Sequence, residues 1–236
     1  MTAPVLELTD VSKNYYGLRP LRIASLSIAP GEQVALVGFD QSTAEIFVNM
    51  VTGASLPDSG NIRLFGRSTA DITDSTDWLT VVDRFGIVSR RAVLLDSLTV
   101  IQNLAMPYTL EVEPPPADIR ERALGLAQEV GLAESTLDRP VAELDGIGVF
   151  RVRLARAVAL DPAVLVFEHP TADVALPDIV ELATRCRDVA AKRKIATVVL
   201  TADRTFAQAA ASRVLVLDPA TGRLSSGGWF SRFIRA

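Results

Sequence analysis

The sequence predicts an α/β domain built on a parallel sheet, and three observations predict it. Apolar runs such as VALV (34–37), AVLVF (163–167) and ATVVL (196–200) suit strands buried on both faces. Stretches of helical spacing follow the first two of them. The first thirty residues instead alternate in the manner of antiparallel strands. At 236 residues the chain suits one large α/β domain, or one domain with an inserted subdomain. Hydrophobic residues make up 49% of it, ample for a full core. A net charge of −4 with scattered Lys and Arg argues against nucleic-acid binding through a basic face. The single cysteine, Cys186, rules out an internal disulfide. It falls on the stripe Ile179, Leu182, Cys186, Val189 and reads as a buried helix residue rather than a reactive thiol. No N-terminal signal stands out, and no apolar run approaches the roughly 20 residues that span a bilayer. The expectation is a cytoplasmic protein with no direct membrane insertion.

In chain order, VLELTDV (5–11) and LRIASLSI (21–28) read as strands joined by the turn-prone NYYGLRP, and APGE is a tight turn. Tyr15 and Tyr16 sit in the first turn, either packed on a sheet edge or free to stack on a flat ligand such as adenine. The segment 33–53, QVALVGFDQSTAEIFVNMVTG, carries the organising pattern. A buried strand turns at Gly38, and Ile46, Phe47, Met50 and Val51 then share a helix face. Strand, eight-residue loop and helix is the layout of a phosphate-binding loop. In a working GxxxxGK[ST] loop, glycines let backbone amides close on phosphates, lysine reaches the β/γ oxygens, and Ser or Thr holds magnesium. The frame here starts at Gly38 and continues through Phe39, Asp40, Gln41 and Ser42. It ends on Thr43, Ala44 and Glu45, without lysine and with a carboxylate in place of the metal-binding hydroxyl.

Beyond the loop, 61–65 and 84–89 read as strands. Residues 90–160 turn helical, with Asp118 and Glu121 as a capping-box-like start for a helix through Val130. A further helix follows DGIG (145–148). It places Phe150, Leu154, Ala157 and Val158 on one stripe, with Arg151, Arg153 and Arg156 off it as a solvated face. The βα texture returns beyond Asp161: strand 163–170, a helix from Pro177 to about Arg193, then strands in KIATVVLTAD and SRVLVLD. Ligands sit at strand tips in such sheets, which singles out Glu168, His169, Ala202 and Asp203.

These residues carry a resemblance over most of the chain. VALVGFDQSTAEIFVNMVTG, LLDSLTVIQNLAMP, AELDGIGVFRVRLARAVALDP, AVLVFEHPTADV, and VVLTAD followed by SRVLVLD resemble, in order and spacing, the landmarks of the nucleotide-binding subunit of ATP-binding-cassette (ABC) transporters. The resemblance implies a RecA-like P-loop NTPase core, about 1–89 and 161–224, with an antiparallel β edge. It also implies an inserted helical subdomain at about 90–160 and a short tail at 225–236. The family's functional letters are replaced. Ala44 stands for the Walker A lysine and Glu45 for the magnesium serine, with Gln41 and Thr43 in place of loop glycines. Arg90 stands for the Q-loop glutamine. The signature LSGGQ reads Leu144, Asp145, Gly146, Ile147, Gly148. Glu168 replaces the Walker B aspartate and retains a chance of reaching a metal. His169 stands for the general-base glutamate, Ala175 for the D-loop aspartate and Ala202 for the switch histidine.

Phosphoryl transfer rests on positioning and charge neutralisation, so these replacements imply a pseudo-ATPase. Such a subunit would have no cofactor and would act as a structural or regulatory partner of a membrane permease or a paralogous cassette, as a homo- or heterodimer. Its place would be the inner face of the cell membrane, held there by the permease. The wording SLTVIQNLAMP resembles cassettes of lipid-handling or lipoprotein-releasing systems, and GGWFSRFIRA, with Trp229 and Phe230, is a packing hook or a partner contact. One alternative is a working ATPase with rearranged ligands. Glu168 would then hold magnesium under ATP, Arg90 or Arg91 would replace the lysine, and His169 would orient water rather than sit as a satisfied histidine. Another is a non-transport regulator holding a different ligand in the cleft. Restoring Ala44→Lys and Glu45→Ser is expected to raise nucleotide affinity without restoring turnover.

Overall fold

The central apolar strands are buried on both faces, and that burial sets the layers. In the computed structural model, which describes residues 3–226, the order is β1 (Leu6–Lys13), β2 (Leu21–Ile28), β3 (Gln33–Val37), α1 (Gln41–Val51), β4 (Ser59–Leu64), β5 (Arg67–Ser68), α2 (Ser75–Val82), β6 (Phe85–Val88) and α3 (Val100–Ala105). It continues with α4 (Ala117–Val130), α5 (Gly146–Val158), β7 (Val164–Glu168), α6 (Ile179–Arg193), β8 (Ala196–Thr201), α7 (Arg204–Ala210), β9 (Arg213–Leu217) and β10 (Leu224–Ser226).

Two sheets result. One runs β2-β1-β4-β5 and is antiparallel; the other runs β10-β9-β3-β8-β7-β6 and is parallel except for β10. Period-two alternation splits the core between the faces of the parallel sheet. Val34, Leu36, Val166 and Leu200 face α1 and the antiparallel sheet, whereas Ala35, Val37, Phe167 and Val199 face the helices on the other side. Cys186 lies in that second layer with Leu182 and Val189, and burial pushes its thiol far up. The predicted α/β class, with an antiparallel edge and helices inserted between β6 and β7, is the one observed.

Several sequence expectations are corrected. The strand read at 61–65 is β4, which starts earlier, at Ser59. Helix α4 begins at Ala117 with Pro116 as its N-cap and no side-chain cap, so Asp118 lies inside the first turn and does not open a capping box. The proline fixes an extended entry just ahead of the helix. Strand β10 reaches Ser226, inside the span expected to be tail. Neither α2, capped by Asp74, nor α7, capped by Asp203, is among the elements read from sequence. Trp229 and the rest of GGWFSRFIRA lie outside the described residues.

The arginines of α5 are not a solvated face. Arg151 donates to the Gly131 carbonyl at 2.9 Å and pairs with Glu181 at 2.9 Å. Arg156 donates to the Val93 carbonyl at 2.7 Å, and burial lowers the pKa of both Arg153 and Arg156. Their stems cover apolar surface, and the guanidinium groups of Arg151 and Arg156 pin neighbouring segments.

Candidate nucleotide-binding cleft

The loops after β3, β6, β7 and β8 meet at the C-terminal edge of the parallel sheet. Gly38 ends β3 at φ +100°, a conformation that L side chains rarely adopt, with the Leu217 backbone against it. The chain then enters helix almost at once. Phe39 is buried and packs edge-on against Phe47, their centroids 5.7 Å apart. Asp40 is the N-cap of α1, and Gln41 already belongs to the helix. The eight-residue loop expected from sequence is therefore a three-residue turn. The reason is local: glycines that would hold positions 41 and 43 open are absent, and an aspartate suited to capping precedes residues that enter helix readily.

This capping uses the donors that a phosphate would need. The Asp40 carboxylate accepts from the Thr43 amide at 2.8 Å and from the Thr43 hydroxyl at 2.7 Å. Those bonds, first the backbone one, hold its pKa below the usual carboxylate value, and the charge of His169 adds to the effect. Ser42 is exposed, Ile46 leans on the core, and Ala44 is wholly buried beside Phe47. Asp40→Ala should cost about 0.5–1 kcal/mol, the lower part of the capping range because the site is exposed. The depressed folded pKa sets the sign. The cost should be full above the unfolded value of 3.8 and fade as pH falls through the lower folded value, where native Asp40 is protonated as well. Urea unfolding of both proteins from pH 7 to pH 3 checks this, and a pH-independent difference would contradict the cap.

Glu45, in the next turn of α1, is not alone. Arg91, in the loop after β6, reaches Glu45 Oε1 through Nη1 at 3.1 Å. It also donates to Glu168 Oε2 through Nη2 at 2.9 Å and through Nε at 3.2 Å. The Glu168 side chain, at the tip of β7, is only 4% exposed. One guanidinium thus joins α1, the loop after β6 and the end of β7. Arg90, the residue expected from sequence to line the cleft, lines it beside Glu168 and His169 and pairs with Asp173 at 3.1 Å. The charge of Glu45 is thus met by Arg91.

His169 follows Glu168 with φ +46°, its backbone amide donating to the Leu200 carbonyl at 2.9 Å and its Nε2 buried without a hydrogen-bond partner. A backbone held in this region is strained for a residue with a side chain. Ala202 is exposed, and Asp203, at the tip of β8, caps α7 by accepting from the Phe206 amide at 3.0 Å. Tyr15 packs against the core layer beside α1, while Tyr16 stands fully exposed. The signature segment opens α5. Leu144 leans on the core and Asp145 caps the helix, accepting from the buried Gly148 amide at 2.7 Å. Gly146 lets the Asp173 carbonyl approach so closely that a Cβ would collide with it. Ile147 packs on the helical core layer.

The two helix N-termini named by the loop and signature motifs are therefore each closed by an aspartate of the chain. Sequence reasoning missed both caps, although Asp followed by a helix start is a legible signal. It named Arg91 only beside Arg90; nothing local says which of two adjacent arginines turns inward.

Two of the cavities among the described residues bear on function. One, of about 210 Å³, is lined by Gln41, Ser89, Arg90, Arg91, Glu168, His169 and Ala172. The other, of about 390 Å³, lies where β6 meets the helical insertion, among Phe85, Val93, Leu94, Pro107, Arg156 and Leu160. Val93 and Leu160 are 73% and 59% exposed, so apolar surface faces outward there.

A parallel core with a strand–turn–helix phosphate frame, an antiparallel edge sheet and an inserted helical layer defines a nucleotide-binding cassette of the P-loop class. The chain belongs to the ABC transporter family, whose model matches residues 21–172. It is similar to the methionine import ATP-binding protein MetN of Brucella abortus (strain 2308), 30% identical over 217 residues, with 92% of this chain and 58% of that protein covered. The chain thus spans 58% of the length of that relative. It is also 28% identical over 229 residues to the lipoprotein-releasing system ATP-binding protein LolD of Coxiella burnetii, covering 95% of this chain and 96% of that one. Among solved structures, cbiO1 of Clostridium perfringens superposes with a TM-score of 0.78 at 21% identity, covering 94% of this chain and 87% of the other. A dimeric bacterial ABC transporter cassette, MJ0796, gives 0.74 at 22%, covering 93% and 96%. These structural likenesses carry the fold. Among the described residues, no helix is long and apolar enough to cross a membrane.

Proposed function

We propose that this cassette does not hydrolyse ATP and serves as a structural or regulatory subunit, docked on a membrane permease or paired with another cassette. The observation that carries the reading is the contact of Arg91 with both Glu45 and Glu168. The family implies magnesium and ATP at this place, and the residues present do not suit them. The lysine position is a buried alanine, the helix N-terminus is closed by Asp40, and the carboxylate nearest the metal position is held by a guanidinium. Loss of a charge-assisted lysine contact alone is worth about 1.5–3 kcal/mol. No path for phosphoryl transfer follows from these groups, since their donors and charges already answer one another.

The apolar groove between β6 and the helical insertion supports a permease-facing role. Its outward Val93 and Leu160 offer a seat for an amphipathic helix, and the Arg156 contact to the Val93 carbonyl steadies one wall. Similarity to a protein named for lipoprotein release supports lipid or lipoprotein handling as the class of cargo. Such a subunit would be cytoplasmic and peripheral, held at the membrane by its permease.

The purified protein should show no magnesium-dependent ATP hydrolysis above a blank. Turnover that disappears on His169→Ala or Glu168→Gln would refute the proposal, because contamination would not respond to either change.

A further inference from the structure

We infer that Arg91 is a built-in substitute for a divalent cation: its guanidinium holds together two carboxylates at the positions where the family's fold implies a metal. The inference deepens the functional reading above and rests on it. The geometry is specific. Glu45 comes from α1, Glu168 from the end of β7 and Arg91 from the loop after β6, and they are linked by contacts of 3.1 Å and 2.9 Å. Glu168 is nearly inaccessible to water, so its charge needs a partner on the spot. A guanidinium supplies several donors in a fixed plane, enough to serve both carboxylates from one side chain. It brings one positive charge to two negative ones, whereas a bound divalent ion would bring two.

Hard carboxylate oxygens are the ligands that Mg²⁺ and Mn²⁺ prefer. In the native chain one oxygen of each carboxylate, Glu45 Oε1 and Glu168 Oε2, is committed to Arg91. Among the described residues no group of three or more His, Cys, Asp and Glu could hold a metal. The protein therefore has the mechanical link between α1, the loop after β6 and β7 without any ligand. That loop leads into Ala92, Val93 and Leu94, which line the apolar groove. The groove wall is consequently braced from its own sequence, by Arg91 at one end and by the Arg156 bond to the Val93 carbonyl at the other.

Removing the guanidinium should expose the carboxylate pair. Mn²⁺ alone is the probe, read by water-proton relaxation and by thermal unfolding of the full chain. Native protein should bind Mn²⁺ weakly and show no metal-dependent stabilisation. Arg91→Ala should melt lower without metal, bind Mn²⁺ at least about tenfold more tightly and recover stability on binding it. Adding Glu168→Gln to Arg91→Ala should abolish that gain. Arg91→Gln keeps the first part of the stem and a polar end without the charge, and should behave as Arg91→Ala does. Equal Mn²⁺ binding by native protein and Arg91→Ala would overturn the inference. So would variants that are metal-blind, or that stay unfolded with Mn²⁺ present, since the ion would then be no replacement for the guanidinium. ATP turnover by the native protein would instead defeat the functional reading, so the two failures are distinguishable.

Discussion

A chain carrying Asp40→Ala, Gln41→Gly, Thr43→Gly, Ala44→Lys and Glu45→Ser is expected to bind MgATP at least about a hundredfold more tightly than the native protein. Ala44→Lys with Glu45→Ser alone is not expected to gain affinity. The sequence-based expectation that the double change suffices is revised by the position of Ala44, which is wholly buried in the layer that holds Phe47 and Met50. A lysine there, with α1 starting at Gln41, must bury its ammonium or unwind the first turn. Glycines at 41 and 43, together with loss of the Asp40 cap, remove the reasons that the turn is helical. The backbone amides and the new ammonium can then face a phosphate. Turnover should stay absent, because His169, Ala202 and the altered signature remain. Calorimetric titration with MgATP decides the matter. Equal gain from the double change would show that the early helix start is no obstacle. No gain from all five would shift the blame to Arg91.

The second large effect concerns stability. Arg193, on the last turn of α6, donates to Glu129 through Nε at 2.9 Å and through Nη2 at 2.6 Å. Its Nη1 donates to the Val158 carbonyl at 2.8 Å and to Asp161 at 2.6 Å. One side chain thereby ties α4 and the end of α5 to a core helix. Arg193→Ala should destabilise the protein by about 2–3 kcal/mol, below the full cost of breaking a buried pair because Asp161 remains wetted. For a domain of this size that amounts to a melting temperature lower by about 5–10 °C. The bond to Arg193 is also the main reason that the Glu129 carboxyl sits below its usual range. The pair's contribution should be complete above the carboxylate's ordinary value of 4.5 and decline as pH falls through the lowered one. Thermal unfolding of both proteins at pH 7 and at acid pH tests this, and a loss under about 1 kcal/mol at pH 7 would contradict the knot.

Much of the fold was legible because burial leaves a plain trace in one dimension. Apolar runs at 34–37, 163–167 and 196–200 read as strands covered on both sides, and they form the middle of the parallel sheet. The family landmarks, and the replacements within them, were equally readable, since they are matters of order and spacing. Helix α2 escaped because it is short and has no buried residue to imprint a periodicity.

What stayed hidden was how charges and caps pair. Sequence by itself determined that the ammonium, the loop glycines and the metal hydroxyl are missing, and that two carboxylates stand near where phosphate and metal would be. Only the tertiary structure decided that Asp40 turns back on its own helix, that Arg90 pairs with Asp173, and that Arg91 closes on Glu45 and Glu168. The physical reason is range. A strand or a helix is written in neighbours a few residues apart, whereas Arg91 and Glu168 meet across 77 residues of chain. Which of two adjacent arginines reaches that carboxylate depends on where folding leaves it short of water.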